Sequence, residues 1–149
     1  MNILKVLTQR RITGNTGEDA AVKHLKKHGY RILERNYVAL GHEIDVIAKN
    51  KDTLAFIEVK TRTVGSKSWE TRPSASVTRE KQLNIINTAK WYLGKAVYNT
   101  KLKDLRVRLD VIEVYLENKG VKTYVKELNH IEGAFRYDNE LYKHTKYGK

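Results

Sequence analysis

The chain has 149 residues, of which 40% are hydrophobic and 31% are charged, with a formal net charge of +12 and no cysteine. This length and balance favour one globular domain with its own core over a chain that is disordered throughout. The lack of cysteine excludes disulfides, zinc–thiolate sites and cysteine nucleophiles. No apolar run reaches the roughly 20 residues of a membrane span, and the first residues do not resemble a secretory signal, so we expect a cytoplasmic protein and no membrane partner.

The positive charge is concentrated in the middle of the chain. Residues 60–108 hold twelve lysines and arginines against three acidic residues, which accounts for +9 of the net +12. This concentration favours an anionic partner, with nucleic acid first and an anionic membrane surface second. A merely solubilising surface is the alternative, although such surfaces usually mix the two signs of charge.

Capping residues, turn residues and hydrophobic periodicity predict seven elements in chain order. A first helix is expected to begin at Asn15 or Thr16 and to end at Gly29. Alternating segments predict three strands, and a loop rich in small residues separates them from a long amphipathic helix and a final hairpin. The predicted ranges are strands 30–39, 41–49 and 53–62, loop 63–76, helix 78–97, and strands 106–116 and 121–128 around a turn at 117–120.

The order of these elements predicts an α/β fold with one mixed five-stranded sheet flanked by helices. The second helix is expected to cross over between the central hairpin and the fourth strand. We expect residues 1–135 to form a single domain and residues 136–149 to form a polar, flexible tail.

The two central strands carry the most informative residues. A hairpin with its tip at Lys51 and Asp52 pairs residues whose numbers add to 103, which buries an entirely apolar face. On the other face Asp45 lies opposite Glu58, and Glu43 lies opposite Lys60. Directly opposed carboxylates destabilise a sheet, so a sequence selected for stability alone would avoid them.

Two converging carboxylates are a natural binding site for a hard divalent cation. Mg²⁺ takes one or two carboxylates and completes its octahedron with water and phosphate oxygens. A lysine two residues along the same face is placed to stabilise negative charge on a phosphate. The alternative is an ordinary pair of polar strand residues, since an isolated Glu-x-Lys is very common.

Asp45 followed by Glu58-Val59-Lys60 resembles the signature of the PD-(D/E)xK restriction-endonuclease-like superfamily. More specifically, the chain resembles the uncharacterised bacterial YraN family, which is related to archaeal Holliday-junction resolvases. The similar stretches lie between residues 14 and 135, at 14–21, 29–36, 43–48, 56–62, 81–93, 108–112 and 130–135.

The resemblance implies a restriction-endonuclease-like sheet in which Asp45 and Glu58 bind Mg²⁺ or Mn²⁺. It implies the Val59 carbonyl as a further metal ligand and Lys60 as a catalytic residue. Glu18 matches a first-helix glutamate that reaches the metal site in related resolvases, and a helix-start residue favoured by the helix dipole is the alternative. The dimerisation of those resolvases makes a homodimer an expectation by analogy.

The remaining candidates support these residues or contact nucleic acid. Glu43 is expected to form a supporting ion pair with Lys60, with a metal-ligand role as the alternative. Lys81 and Gln82 open the second helix and are candidates for phosphate contact, with a solvated helix start as the alternative. Basic residues around the long loop, with an aromatic among them, suit a groove that follows a nucleic-acid strand, and an ordinary loop of this composition is the alternative. These residues are Arg62, Lys67, Trp69, Arg72 and Arg79.

Two other features are expected to be structural. Arg108 and Asp110 should form an ion pair, because both lie in a mostly apolar strand. Trp91 and Tyr92 are expected at the core and its rim, in preference to a base-stacking role.

Three functions follow from these expectations. The first is a metal-dependent nuclease that hydrolyses phosphodiester bonds in DNA, with branched or single-stranded forms as candidate substrates. The second is a nucleic-acid-binding module that keeps the fold without catalysis, and the third is an interaction protein in DNA uptake or repair.

Overall fold

A computed structural model describes residues 16–65, 77–96, 102 and 104–136. In this part of the chain two helices pack on opposite faces of one five-stranded sheet, which confirms the predicted α/β fold. The elements are α1 (residues 16–27), β1 (Arg31–Ala39), β2 (His42–Lys49), β3 (Thr53–Thr63), α2 (Arg79–Ala96), β4 (Arg106–Lys119) and β5 (Lys122–Phe135).

The strands lie in the sheet in their chain order, and every neighbouring pair is antiparallel except β3 and β4. Parallel neighbours need a crossover, because the chain must return to the same end of the sheet. Helix α2 lies within this crossover, as the sequence predicted. The tail predicted at 136–149 lies, after Arg136, outside the described residues.

Helix α1 covers one face of the sheet. Its Ala21, Val22 and Leu25 are buried at the four-residue helical repeat and pack against a cluster from β2, β3 and β4. The helix ends before Gly29, whose φ of 85° favours a residue without a Cβ. The predicted end of the first helix is therefore confirmed.

Helix α2 covers the other face, close to its predicted bounds. Thr78 caps its start, since its hydroxyl oxygen accepts from the backbone N–H of Lys81 at 3.2 Å. Ile85, Ile86 and Ala89 are its buried apolar residues and pack in the core cluster on this face. Leu83 is only half-buried.

The β2–β3 hairpin has the predicted register. Val46, Ala48 and their partners Ile57 and Ala55 lie in the core beneath α1, and the numbers of each pair add to 103. The turn is closed by Asn50, whose side-chain oxygen accepts from the backbone N–H of Thr53 at 2.9 Å.

The regular β2–β3 ladder ends at the pair Val46–Ile57. Beyond this pair the Asp45 carboxylate accepts the backbone N–H of Val59 at 2.7 Å. Strict alternation along the strand predicts that Ile44 shares the apolar face of Val46, and this prediction is wrong, because Ile44 packs in the cluster beneath α2. The sheet therefore becomes irregular where Asp45 projects from it.

The final hairpin is longer than predicted. Lys119 pairs with Lys122, so the turn lies at Gly120–Val121 and the strands continue through the residues expected to form it. Strand β5 runs to a buried Phe135 and does not stop at Leu128. Most of β5 is exposed at the sheet edge, which leaves little hydrophobic alternation for the sequence to reveal.

Candidate metal centre

The candidate site lies where β2 and β3 part. β2 supplies Asp45 and Glu43, and β3 supplies Glu58 and Lys60. Helix α1 supplies Glu18. The structure thus brings together the four side chains that the sequence singled out for catalysis, Asp45, Glu58, Lys60 and Glu18. Their roles remain predictions, but their proximity is a property of the fold.

Glu58 is the most enclosed acid of the site, with a side chain that is 5% exposed. Its Oε1 lies 3.4 Å from Nζ of Lys60 and 3.5 Å from Nζ of Lys81, which reaches in from the first turn of α2. Its Oε2 is buried and has no hydrogen-bond partner among the described residues. Such an oxygen is costly to leave unsatisfied in a protein interior.

Asp45 shares this enclosed environment with Glu58. Burial and the neighbouring Glu58 charge raise the pKa of Asp45 to about 8, although the N–H of Val59 opposes the shift. Without a cation between them, the two groups favour a state in which one carboxyl keeps its proton. Crowded carboxyl groups with a strongly shifted pKa occur most often at functional sites, and a cation between these two would relieve their repulsion.

Glu18, Glu43 and Asp45 form a second acidic group around the same aspartate. One carboxylate oxygen of each lies within 4.8 Å of the others, as the ligands of a single ion would. Burial raises the pKa of Glu18, and the charge of Glu43 raises it further. Asp45 therefore belongs both to the predicted ligand pair with Glu58 and to this second group.

Asn36 of β1 ties Glu18 to Glu43. With its amide nitrogen turned towards them, the side chain donates to Glu43 Oε1 at 2.8 Å and to Glu18 Oε2 at 3.1 Å. Asn36 has a φ of 52°, a backbone conformation that asparagine tolerates better than most residues. The neighbouring Arg35 adds a cation 3.9 Å from Glu18 and 2.7 Å from Asp19.

The close approach of α1 to β3 positions Glu18. A Cβ placed on Gly17 would collide with the side chain of Thr61, so only glycine lets the helix start come this near to the strand. Because Glu18 is the next residue, its distance from Asp45 depends on this contact.

These donors fit a hard divalent cation. The site offers carboxylate oxygens, the ligand type that Mg²⁺ and Mn²⁺ prefer, and one of these oxygens is buried without a partner in the described part of the chain. The Val59 N–H is bound to Asp45, while the predicted role of the Val59 carbonyl as a ligand remains a prediction.

Two supporting residues differ from their predicted contacts. Glu43 does not pair with Lys60 among the described residues, because the strands part at Asp45 and Asn36 holds Glu43 near Glu18. Lys60 pairs with Glu58 instead. Lys81 does face the site, whereas the Gln82 side chain bonds the Val77 carbonyl at 3.1 Å and completes the helix start.

Only part of the predicted nucleic-acid surface can be placed. Arg79 is exposed at the start of α2, and Arg62 is half-buried in β3 with its Nη1 donating to the Thr61 carbonyl at 3.0 Å. Lys67, Trp69 and Arg72 lie outside the described residues.

Sequence reasoning missed Asn36 and Glu113. Glu113 is 3% exposed in β4, pairs in register with Lys60, and accepts from the Tyr115 hydroxyl at 3.3 Å. A lone glutamate inside the apolar run of residues 111–116 was a signal that could have found it. Asn36 gave no comparable signal, because its role depends on its left-handed backbone.

Comparison with known proteins places this chain in a sequence family. The family model described as "Uncharacterised protein family UPF0102" matches residues 17–114. A UPF0102 protein of Acetivibrio thermocellus is 44% identical over 128 residues, which cover 85% of this chain and 92% of that protein.

Two further relatives extend this similarity. A UPF0102 protein of Caldicellulosiruptor saccharolyticus is 40% identical over 126 residues, covering 85% of this chain and 98% of that protein. One from Clostridium perfringens is 44% identical over 123 residues, covering 83% of this chain and 93% of that protein.

Among the described helices, none combines the length and apolarity needed to cross a membrane.

Proposed function

Because the chain belongs to the UPF0102 (YraN) family, whose description assigns no activity, its function must be argued from the site, and we propose that it is a metal-dependent nuclease that hydrolyses phosphodiester bonds in DNA. The observation that carries the proposal is the buried Glu58 carboxylate, which faces Asp45 with one oxygen unsatisfied and has two lysine ammonium groups on the other.

Asp45 and Glu58 would hold Mg²⁺ or Mn²⁺, with Glu18 and Glu43 as further oxygen donors. The bound ion would supply a Lewis acid for the scissile phosphate and would lower the pKa of a bound water. The protein would exclude water from Glu58 and Asp45, and electrostatic interactions are stronger where water is excluded.

Lys60 and Lys81 would balance the negative charge of the substrate. Both ammonium groups lie within 3.5 Å of Glu58 Oε1. A phosphate entering the site would offer these two ammonium groups negatively charged oxygen acceptors, as Glu58 does. Lys60 would then stabilise the extra negative charge that develops at phosphorus. In the reaction a water oxygen bonds to phosphorus, the bond to one ester oxygen breaks, and that oxygen takes up a proton.

Cleavage of duplex, single-stranded and four-way DNA with Mg²⁺ or Mn²⁺ tests the proposal. We expect cutting by the wild type, and loss of cutting with retained DNA binding in Lys60→Ala. Lys122→Ala, which removes an exposed lysine of β5, is the matched control and should cut normally. Equal residual cutting by all three proteins would indicate contamination and would contradict the proposal.

Metal binding gives a readout that does not depend on activity. Calorimetry with Mn²⁺ should show saturable binding that disappears in Asp45→Asn and persists in Glu117→Gln. Glu58→Gln and Glu43→Gln then compare the two ligand groups, and the larger loss of Mn²⁺ affinity is expected in Glu58→Gln because Glu58 and Asp45 are the proposed main ligands. Mn²⁺ binding that none of the three site variants weakens would refute the site and would favour a non-catalytic binding module.

A further inference from the structure

The first turn of α2 reaches the candidate site, and its second half lines a separate apolar hollow. The hollow has a volume of about 470 Å³, which is within the usual range of ligand sites, roughly 300–1,000 Å³. Its lining comes from α2 and from the β1–β2 turn and consists of Leu40, Asn87, Lys90, Trp91, Gly94 and Lys95.

Two large apolar side chains are exposed in this hollow. Trp91 is 46% exposed and Leu40 is 56% exposed, while Tyr92 packs edge-on against Phe56 in the core. The expectation that Trp91 and Tyr92 both belong to the core and its rim therefore holds better for Tyr92. Exposed aromatic surface beside exposed aliphatic surface marks interaction sites more often than isolated apolar residues do.

The backbone of the turn holds Leu40 in this exposed position. Leu40 has a φ of 55° and Gly41 has a φ of 74°, the paired positive values of a tight two-residue hairpin turn. The left-handed region is disfavoured for leucine, and such outliers are informative when they present a side chain to a site.

Gly94 leaves the hollow open. It follows Trp91 by one helical turn, and a Cβ built on it would meet nothing within 4 Å. Glycine inside a helix is less stable than alanine, so helix stability alone would favour a larger residue where space allows one.

The charges of the lining favour a nucleic acid. Lys90 and Lys95 flank Trp91, the Nζ of Lys95 lies 5.2 Å from the Trp91 ring centroid, and no acidic residue is among the described lining residues. A second copy of this chain would bring further lysines against these, whereas a nucleotide brings a phosphate for the lysines and a flat base for the indole.

The position along α2 links the hollow to the cleavage site. Trp91 follows Lys81 by ten residues, which is about 15 Å along a helix, and Lys81 contacts Glu58. This separation matches a few nucleotides of a single strand, given a spacing of roughly 3.4 Å per stacked nucleotide.

We infer that the hollow between the β1–β2 turn and the second half of α2 stacks one unpaired base of a single-stranded nucleic acid on Trp91, a few nucleotides from the phosphate at Glu58. Only the position of this base relative to the phosphate at Glu58 rests on the proposed function. The Asn87 amide would contact the base edge, and Lys90 and Lys95 would contact the flanking phosphates.

Tryptophan fluorescence tests the stacking directly. The chain has two tryptophans, so Trp69→Phe leaves Trp91 as the only one. Titration with a ten-nucleotide thymidine strand in EDTA, where no divalent ion supports cleavage, should quench Trp91. Gly94→Leu, added to Trp69→Phe, fills the hollow and should weaken binding about tenfold or more, as expected for one lost stacking contact.

Two matched probes separate base stacking from charge. A strand of the same length with abasic sites keeps every phosphate and should bind without quenching Trp91. Lys122→Ala, also in the Trp69→Phe background, should lower affinity only slightly and keep the quenching. Equal quenching by the normal and abasic strands would overturn the inference.

The same measurements distinguish failure of this inference from failure of the proposed function. Quenching that Gly94→Leu removes, in a protein that cuts no DNA, supports the pocket and contradicts the nuclease. Cutting that depends on Asp45 without any quenching contradicts the pocket alone. Concentration-dependent dimerisation that Gly94→Leu abolishes, measured by sedimentation equilibrium, would assign the hollow to a second copy and overturn the inference.

Discussion

Asp45 and Asp110 are both enclosed in the same sheet, but the hydrogen-bond partners and charges around the two carboxylates are opposite. Asp110 is fully buried and accepts from Arg108 at 2.8 and 2.9 Å and from the Gly133 N–H at 3.0 Å, with His130 Nε2 at 2.8 Å. Asp45 accepts one backbone N–H and faces other carboxylates.

The pKa values follow from these surroundings. Burial alone would raise the pKa of Asp110, but its hydrogen bonds from His130 and Arg108 hold that pKa below the ordinary range. Burial and the charge of Glu58 raise the pKa of Asp45. Asp110 is thus surrounded by donors, whereas Asp45 is left short of them, as the proposed metal ligand would be.

The largest expected effect comes from breaking the satisfied cluster. Arg108→Met removes both guanidinium bonds of Asp110 and the bond to the Tyr30 hydroxyl, leaving a buried charge. We expect unfolding in urea to show a loss of about 3–5 kcal/mol. Arg106→Met, at an exposed position two residues earlier, is the control. A loss similar to that of the control would mean that Asp110 does not depend on Arg108.

Asp45→Asn should change stability in the opposite direction. Asparagine keeps an acceptor for the Val59 N–H and removes the charge that burial and Glu58 disfavour. Because one pKa unit corresponds to about 1.4 kcal/mol, we expect the metal-free variant to gain on the order of 3 kcal/mol at pH 7. Asp110→Asn is the matched substitution and should lose stability. Destabilisation by both would remove the contrast between the two sites.

Gly17→Ala tests how Glu18 joins the acidic cluster. The added methyl would meet Thr61 and push α1 away from β3, for a loss of roughly 1–3 kcal/mol and a weaker affinity for Mn²⁺. Gly94→Ala, a glycine of α2 with open space around it, should instead gain about 0.5–1 kcal/mol. Unchanged Mn²⁺ affinity in a folded Gly17→Ala protein would exclude Glu18 from the ion site.

The pH dependence of stability should separate the two aspartates, with a slope of at most about 1.4 kcal/mol per pH unit for each proton. Asp45 has a folded pKa of about 8 against an ordinary value of 3.8. Its contribution is therefore complete below pH 3.8 and is lost as the pH rises through 8. For Asp110 the folded pKa is the lower one, so its contribution is present above pH 3.8 and is lost below it.

Urea unfolding without divalent ions between pH 4 and pH 8 measures the Asp45 window. The wild type should lose stability across this range relative to Asp45→Asn, and saturating Mn²⁺ should reverse the trend because the ion binds the deprotonated form. Parallel stability curves for the two proteins would contradict the raised pKa.

The chemistry-bearing pair was predictable because strands alternate strictly. One turn at Asn50 and one apolar face were enough to predict the register, which the structure has from Val46–Ile57 to Lys49–Leu54. Asp45 and Glu58 interact just beyond this ladder. The partners of Glu43 were not predictable, since they depend on the strands parting at Asp45 and on the left-handed backbone of Asn36.

The contacts between helix and sheet were equally beyond the sequence. Lys81 was one of two candidates at the start of α2, and only the packed structure shows that Lys81 reaches Glu58 while Gln82 bonds the Val77 carbonyl. Glu113 lies beside Lys60 through parallel pairing across a long crossover, which local periodicity does not encode.

The sequence by itself determined the order of elements, the central register and the acidic pair, because these follow from periodicities of two and 3.6 residues and from short turns. The tertiary structure alone decided which helix residues reach the site, which acids surround Asp45 and where Trp91 is exposed. The physical reason is that such contacts join residues distant in the chain, and their distances depend on how whole faces pack.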